Sequence, residues 1–359
     1  MDIAYRPYDE SRDYAEQRAL FRLSFPEAIG TEVEGDAHYR WKFHDFPASP
    51  PSYEYLGSAS SEMVGYYAAI PFAYRVDGEV VRCGMVCDVM THPEYRGQGI
   101  FTRMGRYATG QLAESGLAFT TGYPIRPEVI PGHLKVGWQI VETMPTYVRP
   151  VSVESLLPKA LAALGRLGGG VLRALQAWTR PGSRSYTASV YGRDEFLSEI
   201  GGSNAYEHFR ERWEAQVGNA LIKDAAFLEW RTGAPGTTYR FVVLRRHEEL
   251  IGMAIVRPTR LKGIESLAVL DFMVLPDHLD GCRTLHWTIF QLARSERKDL
   301  VACMAARRWA KTYRFASSCY LRTGAVFSLI VKKLHPSARD ETLFVGARWH
   351  TFWIDSDDL

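Results

Sequence analysis

The residues best suited to chemistry are Arg96, Gly97, Gln98 and Gly99, four in a row between an apolar run and an amphipathic one. A guanidinium brings a permanent positive charge and forked donors that suit phosphate oxygens. Gly97 and Gly99 have no Cβ, so the backbone there can curl and approach a ligand closely. Residues 84–90 read as a buried strand, Pro93 ends its ladder, and residues 100–112 read as a helix. The first N–H groups of a helix lack internal partners, and the helix dipole is positive at that end. A strand, a glycine-bearing turn and a helix start, in that order, make a site for an anion.

The elements around this stretch must hold it in place. Residues 3–8 read as a first strand, 9–25 as a helix, and 37–43 as a helical turn. Strands follow at 53–56, 63–70 and 73–81. After the helix come a strand at 117–122, a short helix or turn at 132–136, and a hairpin-like pair of strands across 138–149. The fold class is therefore mixed α/β, a mostly antiparallel sheet flanked by helices. The chain has 359 residues, long enough for two domains. Four fragments recur later in the chain. Trp41, Gly65, Asp88 and Gly137 have counterparts in Trp230, Gly252, Asp271 and Gly324, each within a similar local pattern. An internal repeat is the simplest reading. The predicted layout is a first domain at 1–150, a helical linker at 151–220 and a degenerate second domain at 221–359.

In the second copy Leu279 stands where Arg96 does, Cys282 replaces Gly99, and Asp280 adds a negative charge. That arrangement repels an anion, so a single site is expected, in the first half. Between the halves Lys159, Arg166, Arg173 and Arg180 recur every seven residues, which puts them on one face of any helix. Inter-domain helices with a wet basic edge would show this pattern; so would a membrane-surface helix across 156–180. The net charge is +2, which gives no case for nucleic-acid binding by bulk attraction. The 5 cysteines show no metal-like pairing and fit a reducing compartment. No signal peptide and no membrane-spanning run is visible, so a cytoplasmic location is expected.

The stretch Pro93-Glu-Tyr-Arg-Gly-Gln-Gly-Ile-Phe101 resembles the pyrophosphate-binding motif of the GNAT N-acetyltransferases, Arg/Gln-x-x-Gly-x-Gly/Ala. Phe101 departs from it, standing where the family has Gly or Ala. The order of elements resembles the GNAT fold as well. The resemblance implies acetyl transfer from acetyl-CoA to a primary amine of a small molecule, such as an amino sugar, with no metal and no nucleic acid involved. It implies a cofactor site at Val89, Met90, Thr91, Arg96, Gly97, Gln98, Gly99, Ile100, Phe101 and Thr102. Pantetheine would slot between residues 89–91 and 119–122, beside a strand bulge. The family's tyrosine acid falls on His133 here, an imidazole that can shuttle protons near neutral pH. Asp88 is a second catalytic candidate, as a base; its counterpart Asp271 in the other half speaks equally for a structural role.

Double-GNAT chains also resemble Fem-type aminoacyl transferases and a set of GNAT proteins associated with bacterial cell-surface polysaccharide clusters. Residues 349–357, aromatic and then Asp-Ser-Asp, look like the tail of the latter set. Three functions stay open at this point: an acetyl-CoA-dependent N-acetyltransferase, a Fem-like aminoacyl transferase, and a non-catalytic CoA-binding scaffold.

Overall fold

The computed structural model describes residues 2–60, 62–152, 179–181 and 185–356. The sequence pattern around 156–178 lies outside the described residues. Strands β1 (Ala4–Pro7), β2 (Tyr53–Ala59), β3 (Glu62–Val76), β4 (Glu79–Thr91), β5 (Phe119–Gly122) and β6 (Gln139–Pro150) belong to the first half of the chain. Strands β7 (Tyr186–Gly192), β8 (Asn219–Leu221), β9 (Arg240–Arg246), β10 (Glu249–Leu261), β11 (Ile264–Val274), β12 (Leu300–Met304), β13 (Leu321–Lys333) and β14 (Trp349–His350) belong to the second. All join one sheet, whose main path runs β1-β2-β3-β4-β5-β13-β6-β12-β11-β10-β9-β7.

The centre of this path departs from the sequence expectation. Residues 138–149 do not form a hairpin. They form the single strand β6, which pairs with β12 on one side and β13 on the other. β13, from the far end of the chain, pairs in turn with β5. Each half thus lends its last long strand to the other. The expected linker 151–220 is corrected too. Its described part holds the edge strand β7, paired to β9 over seven residues, and a helix at Asn204–Val217. A turn at Asp77–Gly78, both with positive φ, falls inside the stretch read as one strand across 73–81.

Helices cover both faces of the first half. α1 (Glu10–Ser24) and α2 (Asp36–Phe43) lie on one face, and α3 (Ile100–Glu114) on the other. α3 buries Ile100, Met104, Ala108 and Leu112, a four-residue step that makes one stripe. Met104, Ala108 and Leu112 pack with Tyr67, Ala69 and Val86 from β3 and β4. Covered on both sides, β3 is buried without a break from Met63 to Phe72. The second half repeats the order with α5 (Asn204–Val217), α6 (Ala225–Thr232), α7 (Cys282–Ser295) and α8 (Arg307–Thr312).

The halves meet at a reciprocal contact predicted by neither period nor propensity. The indoles of Trp41 on α2 and Trp230 on α6 stack at 5.1 Å and 12°. Each ring N–H donates to the other residue's backbone carbonyl, at 2.6 and 2.7 Å. The tail at Trp349–Ser356 is fully buried. Among the described residues no helix is long and apolar enough to cross a membrane, and no cluster of three or more His, Cys, Asp or Glu could hold a metal.

Candidate active site

β4 and β5 pair in parallel from Cys83–Phe119 to Val86–Gly122, and there the ladder stops. β4 runs on to Thr91 with nothing bonded on that side, while the other chain turns away at Tyr123 and Pro124. This leaves an opening between the two chain segments. Its position corrects the sequence reading: residues 119–122 are tied into the sheet by β4 and β13, so the open wall lies beyond Gly122. On the β4 side the register slips between Tyr66–Met90 and Ala68–Cys87, a bulge at Asp88 and Val89. Asp88 sits there at φ 46, a left-handed conformation unusual for a residue with a side chain. The bulge takes Asp88 and Val89 out of the β3 register, Met90 and Thr91 rejoin it opposite Tyr66 and Gly65, and on the β5 side the ladder has already ended at Val86.

Below the wedge the chain forms a short turn at Pro93–Tyr95 and reaches the glycines. Gly97 and Gly99 hold φ 79 and 75, and Gly99 is the N-cap of α3. A Cβ at either would touch nothing within 4 Å, so the space before them is open. No side chain caps α3, and its first turn carries no acid. The N–H groups of Ile100, Phe101 and Thr102 therefore face out with the dipole unopposed. Arg96 is exposed with no ion-pair partner among the described residues, Gln98 is exposed, and Ile100 is buried as the anchor of the helix. Thr102 turns its hydroxyl back onto the Gly99 carbonyl at 3.3 Å. Together these features leave an open turn with a free guanidinium at an uncapped helix start, the kind of place that suits an anion.

Phe101, the departure from the motif, does not block the cradle. Its ring packs edge-on against His133 at 4.9 Å and lies against Gly132, where a Cβ would sit 2.7 Å from two ring carbons. Gly132 and His133 belong to α4 (Ile130–Lys135). His133 corrects the expectation of a proton shuttle. It is 6% exposed, between Phe101 and Trp138, whose ring lies 5.1 Å away. Burial pulls its pKa down to about 4, so it stays neutral at pH 7 and has no proton ready for a leaving thiolate. Its work is packing.

Asp88 is paired with Lys42 of α2, Nζ to Oδ1 2.8 Å, with the carboxylate partly exposed. One turn earlier on α2, the Tyr39 hydroxyl lies 3.0 Å from Glu54 Oε2 of β2. Tyr66 of β3 bonds the same oxygen, and Ser52 Oγ lies 2.8 Å from Oε1. Burial raises the Glu54 pKa. Sequence reasoning missed this carboxylate. A lone Glu between two tyrosines in a strand reads as the solvent face of an alternation, and only the packing of α2 over β2 shows otherwise.

The second half has the matching bulge, between Ile255 and Val256 of β10 opposite Asp271 of β11, and there too β11 runs on past its last parallel pair, Val269–Cys303. Asp271 is fully buried against Lys223 at 3.0 Å. The next residue, Phe272, stacks on His286 at 4.6 Å and contacts Tyr313 and Phe315. Aromatic side chains thus crowd the residue that follows the bulge aspartate, and Asp280 is paired with Arg314 at 2.7 Å.

Residues 5–141 match the family model described as an acetyltransferase (GNAT) domain, a match over less than half of the chain. The fold extends that likeness to nearly the whole molecule. A GCN5-related N-acetyltransferase from Anabaena variabilis superposes with a TM-score of 0.65 at 12% identity, over 93% of this chain and 73% of its own. A tandem GNAT protein from the clavulanic acid biosynthesis pathway gives 0.59 at 14%, over 94% and 100%. The N-myristoyltransferase of Saccharomyces cerevisiae gives 0.59 at 9%, over 97% and 86%. No curated protein matches the sequence itself. The chain therefore has the GNAT fold, and at these identities the likeness speaks for the fold alone.

Proposed function

We propose that this protein is a tandem GNAT enzyme, an acyl-CoA-dependent N-acyltransferase that moves an acetyl group to the primary amine of a small molecule. The observation that carries the reading is the cradle at Arg96–Gly99, open and cationic at the foot of a wedge that begins at a strand bulge. Arg96, the backbone of residues 97–102 and the α3 dipole would hold the pyrophosphate. The backbone of Val89, Met90 and Thr91 would lie along the pantetheine arm and polarise the thioester carbonyl. The crowded bulge of the second half supports one site per chain, with the second half shaping the acceptor cleft. Asp88 is the carboxylate nearest the reacting centre in this reading. An amino sugar fits as acceptor by analogy with the polysaccharide-associated proteins, and acetyl is favoured as the acyl group. The myristoyl-CoA carried by one structural neighbour makes a longer acyl chain the alternative donor. The work is placed in the cytoplasm, where acyl-CoA is made.

Calorimetry with acetyl-CoA tests this. Micromolar binding that Arg96→Ala weakens is expected. Absence of binding by the wild type refutes the reading, and tighter binding of a long-chain acyl-CoA moves the donor assignment to that class.

A further inference from the structure

The far side of the wedge is a strand of the second half. β5 stops at Gly122, whose partner on β13 is Ile330, but β13 extends beyond that pair as far as Leu321. Among the described residues no strand pairs with that side of β13 past Ile330. Three bonds fix where its backbone groups point. The Leu334 N–H donates to the Ala118 carbonyl at 3.0 Å, so the even-numbered residues of β13 face β5. The Pro145 carbonyl, opposite Val326, accepts from the Ala305 N–H at 3.3 Å and so points away from β13. The Thr143 N–H, opposite Ser328, donates to Glu142 Oε1 at 2.8 Å. Val326 and Ser328 therefore turn N–H and C=O away from β6, into the space that β5 vacates. On the near side the His92 N–H donates to the Val64 carbonyl at 3.0 Å, so by alternation Thr91 presents its own backbone groups to the wedge. Counted out from Val86, Gly122 and Ile330, Ser328 stands level with the bulge at Asp88 and Val89, and Val326 level with Thr91. Where β5 ends, β4 and β13 are two strand spacings apart, about 9.6 Å, which leaves room for one extended chain. The second half covers the matching edge of β6. Glu142 holds the Thr143 N–H, and a Cβ on Gly346 would sit 2.3 Å from the Val141 carbonyl oxygen.

We propose that Val326 and Ser328 form the second wall of the acyl-CoA cleft, their backbone N–H and C=O groups bonding the pantetheine amides from the side opposite β4. The proposal rests on the N-acyltransferase reading. The arm lies in the sheet where β5 does not continue, with Thr91 on one side and β13 on the other. Its chemistry fits this slot. Pantetheine is extended, carries no charge and has two amides, and both walls offer neutral backbone donors and acceptors. Its position fits too. β4 leads from the slot through Pro93–Tyr95 to the cradle at Arg96–Gly99, so a chain held by its pyrophosphate enters from the open end. One site is then assembled from both halves. The first gives the cradle and the bulge, and the second gives the far edge, brought there because β13 lies between β5 and β6.

Amide hydrogen exchange resolved to single residues tests this. The wild type is measured alone, with acetyl-CoA, and with adenosine 3′-phosphate 5′-diphosphate, the coenzyme without its pantetheine. Acetyl-CoA should slow exchange at Val326 and Ser328 at least about tenfold, and the fragment should not. Phe327, whose N–H faces β6, should exchange slowly in all three states. Ser328→Pro removes the N–H in question without taking a bond from β6. It should weaken acetyl-CoA about tenfold by calorimetry and leave the affinity of the fragment unchanged. Equal weakening of both ligands, or of neither, overturns the proposal, and so does unchanged exchange at either residue under saturating acetyl-CoA. Should Ser328→Pro fail to fold, exchange in the wild type decides alone. A wild type that binds neither ligand refutes the N-acyltransferase reading and this proposal with it. A wild type that binds acetyl-CoA with no slowing on β13 refutes this proposal alone.

Discussion

The contact between Phe101 and Gly132 decides whether a bulky residue can live inside a phosphate cradle, and Gly132→Ala tests it. The new methyl would lie 2.7 Å from two carbons of the Phe101 ring, where ordinary contact begins at 3.4 Å. The ring must yield by most of that difference. Inside a rigid core such crowding costs about 1–3 kcal/mol. Phe101 is half-exposed and can swing, so much of the cost is avoided, and alanine regains about 1 kcal/mol over glycine within α4. Stability should therefore change by less than about 1 kcal/mol, read as the midpoint of urea unfolding at constant slope. The direction of the swing matters more. His133 blocks the inner side, which leaves the cradle mouth. A phenyl ring pushed there should weaken acetyl-CoA binding about tenfold, or about 1.4 kcal/mol by calorimetry. Phe101→Ala in the same chain should restore it. Unchanged affinity in Gly132→Ala, or no rescue by the second substitution, would refute the idea that Gly132 parks the ring.

Arg96→Ala should weaken acetyl-CoA binding by about 1.5–3 kcal/mol, the value of a hydrogen bond to a charged group, with the loss shrinking at high salt. Lys42→Met leaves Asp88 without its cation in a mostly buried place and should cost about 3 kcal/mol by urea unfolding. His133 contributes stability above its unfolded pKa of about 6.5, and that contribution is lost as pH falls toward its folded pKa of about 4. His133→Phe should flatten the melting temperature across that window. Asp355 has the opposite sign. Burial raises its pKa from 3.8 to about 7, so its protonated form favours the fold, and stability falls as pH rises between those values and levels off above the upper one. Asp355→Asn should remove that fall between about pH 4 and 7, seen by thermal melts at constant ionic strength.

The cradle was legible because its requirements are local. Left-handed backbone at 97 and 99 wants glycine, and an anion wants Arg96 beside a helix start; four adjacent residues state both. The likeness of local patterns was legible in the same way, since Trp41 and Asp88 have counterparts in Trp230 and Asp271 at similar distances. The strand exchange was not. Nothing in residues 139–150 names β12 or β13 as partners, because strand propensity does not encode which distant edge a strand will meet. His133 misled because its sequence position is that of an acid, while burial, which sets its charge, comes from Phe101 and Trp138. Glu54 was missed because a carboxylate in an alternating strand is read as exposed until packing from elsewhere covers it.

β6 bonds only to strands from the second half, and β13 only to strands from the first. A fragment stopping at residue 150 would carry a twelve-residue strand with bare edges on both sides, and the complementary piece would carry β13 in the same plight. Two bodies laced together like this have given up modularity. The second half, which lacks the arginine and glycines of the first, cannot be discarded by deletion, and damage to either half unravels the other as well.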